Sequence, residues 1–365
     1  FQAKQMNCPI LRSGNLLKKA VMSAVLNLQT VCLQAEKEKA YIALTELRDQ
    51  PAETTDGRRI RLAANVEFAH EYDAIHRSGA EGVGLYRTEF FLLGGGSLPD
   101  EEQQYRHYRD LVEECAPHEV IFRTLDAGGD KLPFEVLEEK EGNPFLGWRG
   151  IRVSLSRPEV FKEQLRAILR ASAHGKAAVM FPMISGITEV NQVHELLEEC
   201  RAELRERGLA YDEHMRVGIM IEVPSAAMMS DVLARHVDFF SIGTNDLTQY
   251  TIAVDRVNFR VADMFRPTHP GVIRMIKQTI SAGIPTAICG EMGGDITLIP
   301  LLVGLGATEL SVGTHLLPLI RYAIRHLSYE ECRAMTEKAL QAEDSYTIRN
   351  LSQELARKSY PSLFD

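Results

Sequence analysis

Two successive apolar runs of this chain each lead into an acidic residue. Val217–Ile221 reads VGIMI and is followed by Glu222. Phe239–Gly243 reads FFSIG, and Asp246 lies three residues beyond it. Such runs are typical of buried strands, and carboxylates at their ends are ligands that Mg2+ takes together with substrate oxygens. The alternative is that each acid caps the helix that follows. We favour a divalent-cation site because the two acids occupy equivalent positions after their strands.

Arginines beside apolar segments are the second group with chemical potential. Arg87 and Arg123 each lie near the end of an apolar run, and Arg149 lies in an irregular stretch. The planar guanidinium donates two parallel hydrogen bonds to a phosphate or a carboxylate. Arg87 could instead pair with Glu89, and Arg123 with Asp126, since a buried charge needs a partner. Two arginines on adjacent strand ends favour an anion site, with Arg149 as a third contact.

A cysteine follows a further apolar run. Pro285–Ile288 precedes Cys289, which places the thiol at the end of a predicted strand. A thiol in this position could protonate an enolate formed on a substrate. The alternative is a small buried hydrophobic residue, which is the usual fate of a free cysteine. The spacing does not decide between these two interpretations.

A repeated pattern of strand, polar loop and helical stretch predicts the elements that position these residues. Near-continuous apolar strands alternating with helices indicate a parallel sheet, and eight such units fit a (β/α)8 TIM barrel of class α/β. A doubly wound sheet would show fewer units. In a barrel the chemistry lies at the carboxyl ends of the strands, where the candidate residues fall. The predicted strands are Ile60–Val66, Gly82–Phe90, Glu119–Asp126, Ala178–Ile184, Val217–Val223, Phe239–Gly243, Thr286–Cys289 and Glu309–Val312.

The segment before the barrel predicts a helical linker. Leu16–Arg48 is rich in helix-forming residues with an apolar stripe at helical spacing, and Asp49–Gly57 is rich in turn formers. We therefore expect an N-terminal remnant and linker helix over residues 1–57 and the barrel over residues 58–365. Because the first residue is Phe1, we expect a fragment or a processed product.

Composition excludes several classes of function. The net charge is −9, with no basic block of the kind that binds nucleic acid. The six cysteines are scattered without CxxC spacing, which predicts reduced thiols and a cytoplasmic location. No apolar run reaches the roughly 18 residues of a membrane span, so we expect none.

Several long motifs together resemble one known family. They resemble the phosphoenolpyruvate-binding barrel of Enzyme I, the phosphoenolpyruvate–protein phosphotransferase of the bacterial sugar phosphotransferase system. The likeness runs from about residue 36 to the end of the chain. The motifs are GLYRTEF (Gly84–Phe90), RTLDAGGDK (Arg123–Lys131), NPFLGWRGIR (Asn143–Arg152), QLRAILRAS (Gln164–Ser172), FFSIGTNDLTQYTIAVDR (Phe239–Arg256) and CGEMGGD (Cys289–Asp295).

The resemblance implies a role for each residue of the site. It implies that arginines bind the phosphate of phosphoenolpyruvate. It also implies that the two acids bind the metal, which is Mg2+, with Mn2+ as a possible substitute. It further implies that the cysteine protonates the enolate of pyruvate. The implied sets are Arg87, Arg123 and Arg149 for phosphate, Glu222 and Asp246 for metal, Asn245 and Arg256 for other substrate contacts, and Cys289 for the proton.

The resemblance also implies partners. In the family the barrel forms a homodimer, and the phosphoryl group passes to a histidine of a phosphohistidine domain and then to the small carrier protein HPr. The family's histidine lies in a motif of the type GGxxSH, which this sequence does not contain. Three hypotheses follow: a phosphotransferase component, a non-catalytic or regulatory dimeric module that only binds phosphoenolpyruvate, and an aldolase- or lyase-type barrel. The long motifs give the third no support.

Overall fold

Eight parallel strands close into a barrel in chain order, with β1 hydrogen-bonded to both β2 and β8. The computed structural model describes residues 47–68, 71–94, 98–128 and 141–364. The predicted (β/α)8 barrel is confirmed. The strands are β1 Arg61–Val66, β2 Gly82–Arg87, β3 Glu119–Arg123, β4 Ala177–Phe181, β5 Arg216–Ile221, β6 Phe239–Ile242, β7 Thr286–Ile288 and β8 Glu309–Gly313.

Helices lie between the strands and after the last one. Several begin at a residue with a recognisable cap; Asp100, for example, accepts from the Gln103 amide in a capping box. The α-helices are α1 Tyr72–Ser78, α2 Thr88–Leu93, α3 Glu101–Cys115, α4 Ile151–Ser156, α5 Pro158–Ala171, α6 Ile187–Glu206, α7 Pro224–Met228, α8 Ser230–Leu233, α9 Thr244–Ile252, α10 Pro270–Ile280, α11 Ile299–Leu305, α12 Leu317–Arg325, α13 Tyr329–Gln341 and α14 Ser345–Ser359.

Apolar side chains of the strands pack on both faces of the sheet. The outward-facing side chains form one large core with the apolar faces of the helices. A second, smaller cluster fills the inside of the barrel and includes Leu85, Met220 and Cys289. Since both faces are buried, the strands read as continuous apolar runs in the sequence. The inner cluster forms the floor beneath the residues at the carboxyl ends of the strands.

The observed elements differ from the predicted ones mainly at their ends. The strand expected to reach Phe90 ends at Arg87, because α2 begins at Thr88. The helical stretch after β5 is broken into α7 and α8 at Met229. These ends lie where polar residues replace the apolar run, and that is where period alone is least informative.

The segment before β1 forms hydrogen bonds to the start of α13, near the carboxyl terminus of the chain. Glu53 and Arg59 form an antiparallel bridge, and the Asp56 carboxylate accepts from the amides of Tyr329 and Glu330 at 2.7 and 3.0 Å. The predicted linker helix lies almost wholly outside the described residues, and the boundary at residue 57 stays a prediction. Within the described ranges, no helix combines the length and apolar character needed to cross a membrane.

Candidate active site

All eight predicted site residues line one cavity at the carboxyl ends of the strands. Its volume is about 240 Å3, and its apolar floor includes Leu85 and Met220 from inside the barrel. The cavity gathers residues that lie far apart in the sequence because the carboxyl ends of parallel strands meet at one face of a barrel. The predicted residues on its wall are Arg87, Arg123, Arg149, Glu222, Asn245, Asp246, Arg256 and Cys289.

Strand ends and first helical turns position these side chains. Arg87 and Arg123 are the last residues of β2 and β3, and Glu222 directly follows β5. Asn245 and Asp246 lie in the first turn of α9, which begins right after β6. Each of these side chains therefore starts from a rigid strand end or from the first helical turn after one, so little conformational freedom is lost when it binds a ligand.

Arg123 is the most enclosed of the four arginines. It is 7% exposed, and its guanidinium contacts the Asp126 carboxylate at 3.0 Å and also pairs with Glu89. The predicted alternative partner Asp126 is thus present. The alternative predicted for Arg87 was wrong, because Glu89 pairs with Arg123, while Arg87 lies 2.5 Å from the Glu67 carboxylate.

Arg149 joins two acids across the cavity. Its Nη2 lies 3.0 Å from Asp126 Oδ1 and 3.3 Å from Asp246 Oδ2, and its Nη1 donates to the Tyr250 hydroxyl at 3.2 Å. Arg256 reaches the same Asp246 carboxylate at 3.4 Å. The arginines are therefore held in place by acids, with guanidinium edges directed at the cavity.

Glu222 is a buried acid with no ion-pair partner in the part of the chain that the structure describes. It is 1% exposed, its Oε1 accepts from the Met183 amide at 2.7 Å, and no ion pair to it occurs within the described residues. Burial, together with the charges of Asp126 and Asp246, raises the pKa of its carboxyl, and the nearby arginines offset only part of this shift. A buried carboxylate without a counter-ion is unstable as an anion, so the position favours an added cation.

The second acid of the predicted pair also has an unused oxygen. Asp246 Oδ1 is buried and accepts no hydrogen bond from the described residues, although the Arg256 guanidinium is near. The predicted alternative of helix capping does not hold for Glu222, because α7 begins after Val223 without a side-chain cap. Within the described residues, no set of three His, Cys, Asp or Glu has the arrangement of a complete metal site. The two carboxylates of Glu222 and Asp246 instead fit a Mg2+ site that is completed by oxygens of a bound substrate.

The Cys289 thiol lies at the cavity and is nearly enclosed. The residue is 4% exposed, and its Sγ donates to the Ile242 carbonyl at 3.5 Å. Burial raises the pKa of the thiol to about 11. At neutral pH the group therefore carries its proton, which is the state that a general acid needs.

Sequence reasoning missed several residues that shape the site. Asp126 and Glu89 were considered only as counter-ions, yet both line the cavity. Met183 has an apolar side chain and was not predicted, yet its amide holds Glu222 from a left-handed backbone with φ of 58°. Residue type gives no sign of a backbone donor. Tyr250 lies in the motif around α9 and could have been found there.

A family model described as "PEP-utilising enzyme, PEP-binding domain" matches residues 42–329. The chain belongs to this family. Curated relatives include the phosphoenolpyruvate-protein phosphotransferases of Haemophilus influenzae and Staphylococcus carnosus, each 44% identical, over 326 and 321 residues. The alignments cover 88% and 87% of this chain but 57% and 56% of the relatives. The chain thus spans little more than half the length of these family members.

Among solved structures, a citrate lyase from Burkholderia xenovorans aligns with 85% of this chain and 94% of its own chain. The identity is 15% and the TM-score is 0.46, a similarity too low to bear on function.

Proposed function

We propose that this chain binds phosphoenolpyruvate with Mg2+ and donates its phosphoryl group to a histidine of a phosphohistidine domain, which passes it to HPr during sugar uptake in the cytoplasm. The observation that carries the proposal is the single cavity in which four arginines line the wall beside Asp246 and the buried Glu222, which has no ion-pair partner among the described residues. The names of the relatives support phosphoryl transfer from phosphoenolpyruvate. We further propose that the chain acts as a homodimer.

In this proposal the arginines bind the trianionic substrate. Arg87, Arg123 and Arg149 bind the phosphate, while Asn245 and Arg256 contact the rest of the molecule. Guanidinium groups that are already held by acids stay in place as charge shifts onto the leaving oxygen, so little reorganisation is needed in the transition state.

Glu222 and Asp246 would hold the metal. The raised pKa of the Glu222 carboxyl and the buried Asp246 oxygen that accepts no hydrogen bond both fit a role as ligands of a divalent cation. When bound, Mg2+ supplies positive charge beside the phosphate and the enolate oxygen. Mn2+ takes the same oxygen ligands and can substitute for it.

The proposed reaction exchanges one phosphorus bond for another. The bond between phosphorus and the enol oxygen breaks, a bond between phosphorus and an imidazole nitrogen of the acceptor forms, and the enolate of pyruvate leaves. Cys289 then gives its proton to the C3 carbon of the enolate, and the thiolate regains a proton from water. The protonated state of this buried thiol supports that role.

Transfer of label from radioactive phosphoenolpyruvate tests the proposal. We expect label on an added phosphohistidine domain of a family member when this chain and Mg2+ are both present. The control acceptor is the same domain with its motif histidine replaced by alanine. Calorimetric binding of phosphoenolpyruvate without transfer of label would instead support the non-catalytic binding module. Absence of both binding and transfer would contradict both hypotheses.

A further inference from the structure

Cys289 lies just beyond a short strand, so its carbonyl has no partner in the sheet. β7 ends at Ile288 and pairs with β8 only through Ala287 and Ile288. On the other side, the Cys289 amide donates to the Ile242 carbonyl at 3.1 Å. One end of the residue is therefore fixed by β6, and the other end needs a side-chain donor.

Asn65 supplies that donor from β1, which is two strands away from β7 across β8. Its Nδ2 donates to the Cys289 carbonyl oxygen at 3.1 Å. Asn65 lies at an irregularity in the pairing of β1 with β2, where the register shifts between Ala64 and Asn65. Such irregularities redirect a side chain at the rim of a barrel. The register shift between β1 and β2 therefore occurs at the residue, Asn65, whose side chain reaches the Cys289 carbonyl after β7.

Ser311 fixes the orientation of the Asn65 amide. The Cys289 carbonyl can only accept, so the amide nitrogen faces it, and the fully buried Ser311 hydroxyl donates to the remaining Asn65 Oδ1 at 2.6 Å. Gly84 leaves the room for this hydroxyl, because a Cβ at that position would lie 2.5 Å from Ser311 Oγ. The amide is therefore held in one orientation by a neighbour built for it.

The peptide that Asn65 holds is also confined on its far side. A Cβ at Gly290 would lie 2.7 Å from the Thr244 amide nitrogen, so this backbone passes against the start of α9. The residue after it, Glu291, exchanges two hydrogen bonds with Asn245 at 3.0 and 3.1 Å. Removal of the Asn65 bond would leave the Cys289 carbonyl free to turn while its neighbours stay fixed.

From these contacts we infer that Asn65, oriented by Ser311, is a positioning residue that fixes the Cys289 thiol for proton transfer to the C3 carbon of the enolate. The inference rests on the proposed function, because it assumes that Cys289 is the proton donor. In the step itself the S–H bond breaks, a C3–H bond forms, and the thiolate regains a proton from water. Neither Asn65 nor Ser311 touches the transferred atoms.

Exchange of the pyruvate methyl protons with D2O measures this step in reverse without a phosphoryl acceptor. The chain is incubated with pyruvate and Mg2+, and the loss of the methyl proton signal is followed by NMR. We expect Asn65→Ala to slow the exchange about 10- to 100-fold, as misplacement of a reacting group does, and to change the dissociation constant of phosphoenolpyruvate less than about twofold. Ser311→Ala should lower the exchange in the same direction by a smaller factor.

Two further variants separate positioning from general stability. Asn65→Asp keeps the shape and the acceptor for Ser311 but cannot donate to the Cys289 carbonyl, so it should lose exchange as Asn65→Ala does. Ser352→Ala is the matched control, because Ser352 is equally buried and its hydroxyl donates to the Thr297 carbonyl at 2.7 Å, away from the cavity. It should lower stability without slowing exchange.

Each other outcome has a definite meaning. Normal exchange in Asn65→Ala or Asn65→Asp, with only a lower unfolding temperature, would overturn the inference. A loss of exchange matched by an equal loss of phosphoenolpyruvate affinity would overturn it too, since the whole cavity would then have been disturbed. Cys289→Ala identifies a failure of the proposed function: if the wild-type protein exchanges no faster than this variant, Cys289 is not the proton donor and the inference falls with that role.

Discussion

Acidic and basic side chains form a cluster at each end of this barrel, and the two clusters are built differently. At the amino ends, the first residues of four strands form a chain of ion pairs. Arg61 lies 2.7 Å from Glu309 and 3.8 Å from Glu119, and Glu119 accepts from Arg216 Nε at 2.9 Å. At the carboxyl ends, Glu222 is buried as Glu309 is, but it has no cation within ion-pair distance among the described residues.

This difference distinguishes a structural group of ion pairs at the amino ends from a candidate binding site at the carboxyl ends. Burial also raises the pKa of the Glu309 carboxyl, but the adjacent Arg61 opposes the shift. At Glu222 the neighbouring acids add to the shift and two arginines oppose it, but neither of these arginines is within ion-pair distance of the carboxylate. A buried acid that stabilises the fold has its counter-ion in the fold, whereas a buried acid without an ion pair among the described residues favours a cation from outside. Two glutamate-to-alanine substitutions, one at each end, therefore should have opposite effects.

The largest effect is expected for Glu222→Ala. Loss of this acid should abolish the Mg2+-dependent part of phosphoenolpyruvate binding, at a cost of about 3 kcal/mol, or roughly 150-fold in affinity. Calorimetric titration with and without Mg2+ measures it. Glu309→Ala is the control and should bind phosphoenolpyruvate as the wild-type protein does. Unchanged affinity of Glu222→Ala in Mg2+ would show that the metal assignment is wrong.

The same Glu309→Ala protein provides the next effect, this time on stability. Loss of the Glu309 carboxylate leaves Arg61 with the more distant Glu119 as its acidic partner, so the free energy of unfolding should fall by about 2 kcal/mol. This is less than for a fully buried pair, because Arg61 is partly exposed. Urea unfolding measures the change. Glu330→Ala, in an exposed pair with Arg333, should stay within about 0.5 kcal/mol of the wild type. A stability loss for Glu222→Ala as large as that for Glu309→Ala would remove the contrast between the two ends.

Cysteine alkylation tests whether the carboxyl end is the open one. Burial favours the neutral thiol of Cys289, with a pKa of about 11, so the thiolate fraction and the alkylation rate should rise about tenfold per pH unit between pH 8 and 10. Phosphoenolpyruvate with Mg2+ should protect it. Cys332 is fully buried away from the cavity, with a pKa of about 12, and serves as the control in mass spectra. Equal modification of both thiols would mean that alkylation follows unfolding and not access through the cavity.

The contrast between the two ends also explains what the sequence could predict. Apolar runs and their spacing located all eight strands, and strand ends then located the site, because residue type and period determine both. The Arg87–Glu89 pair failed because residues two apart face the same side only in a strand, and Thr88 begins a helix. The Met183 amide could not be found, since its role depends on the sign of a backbone angle and not on a side chain.

Backbone strain provides the smallest and last contrast. Among the described residues, Met183 and Ala253 are the only non-glycine residues with positive φ. Ala253 has φ of 54° at the end of α9, between Asp246 and Arg256, which both line the cavity. Glycine adopts this conformation without a Cβ penalty, so Ala253→Gly should raise the free energy of unfolding by about 0.5–1 kcal/mol.

Ala234→Gly is the matched control for that substitution. Ala234 also ends a helix, but its φ is −57°, so glycine there gains nothing and should cost about 0.5–1 kcal/mol through chain entropy. Urea unfolding of the two variants should therefore give shifts of opposite sign. If Ala253→Gly is also destabilised, the left-handed turn before Arg256 is held by its contacts without strain. The strain at the cavity end would then be confined to Met183, whose amide holds Glu222.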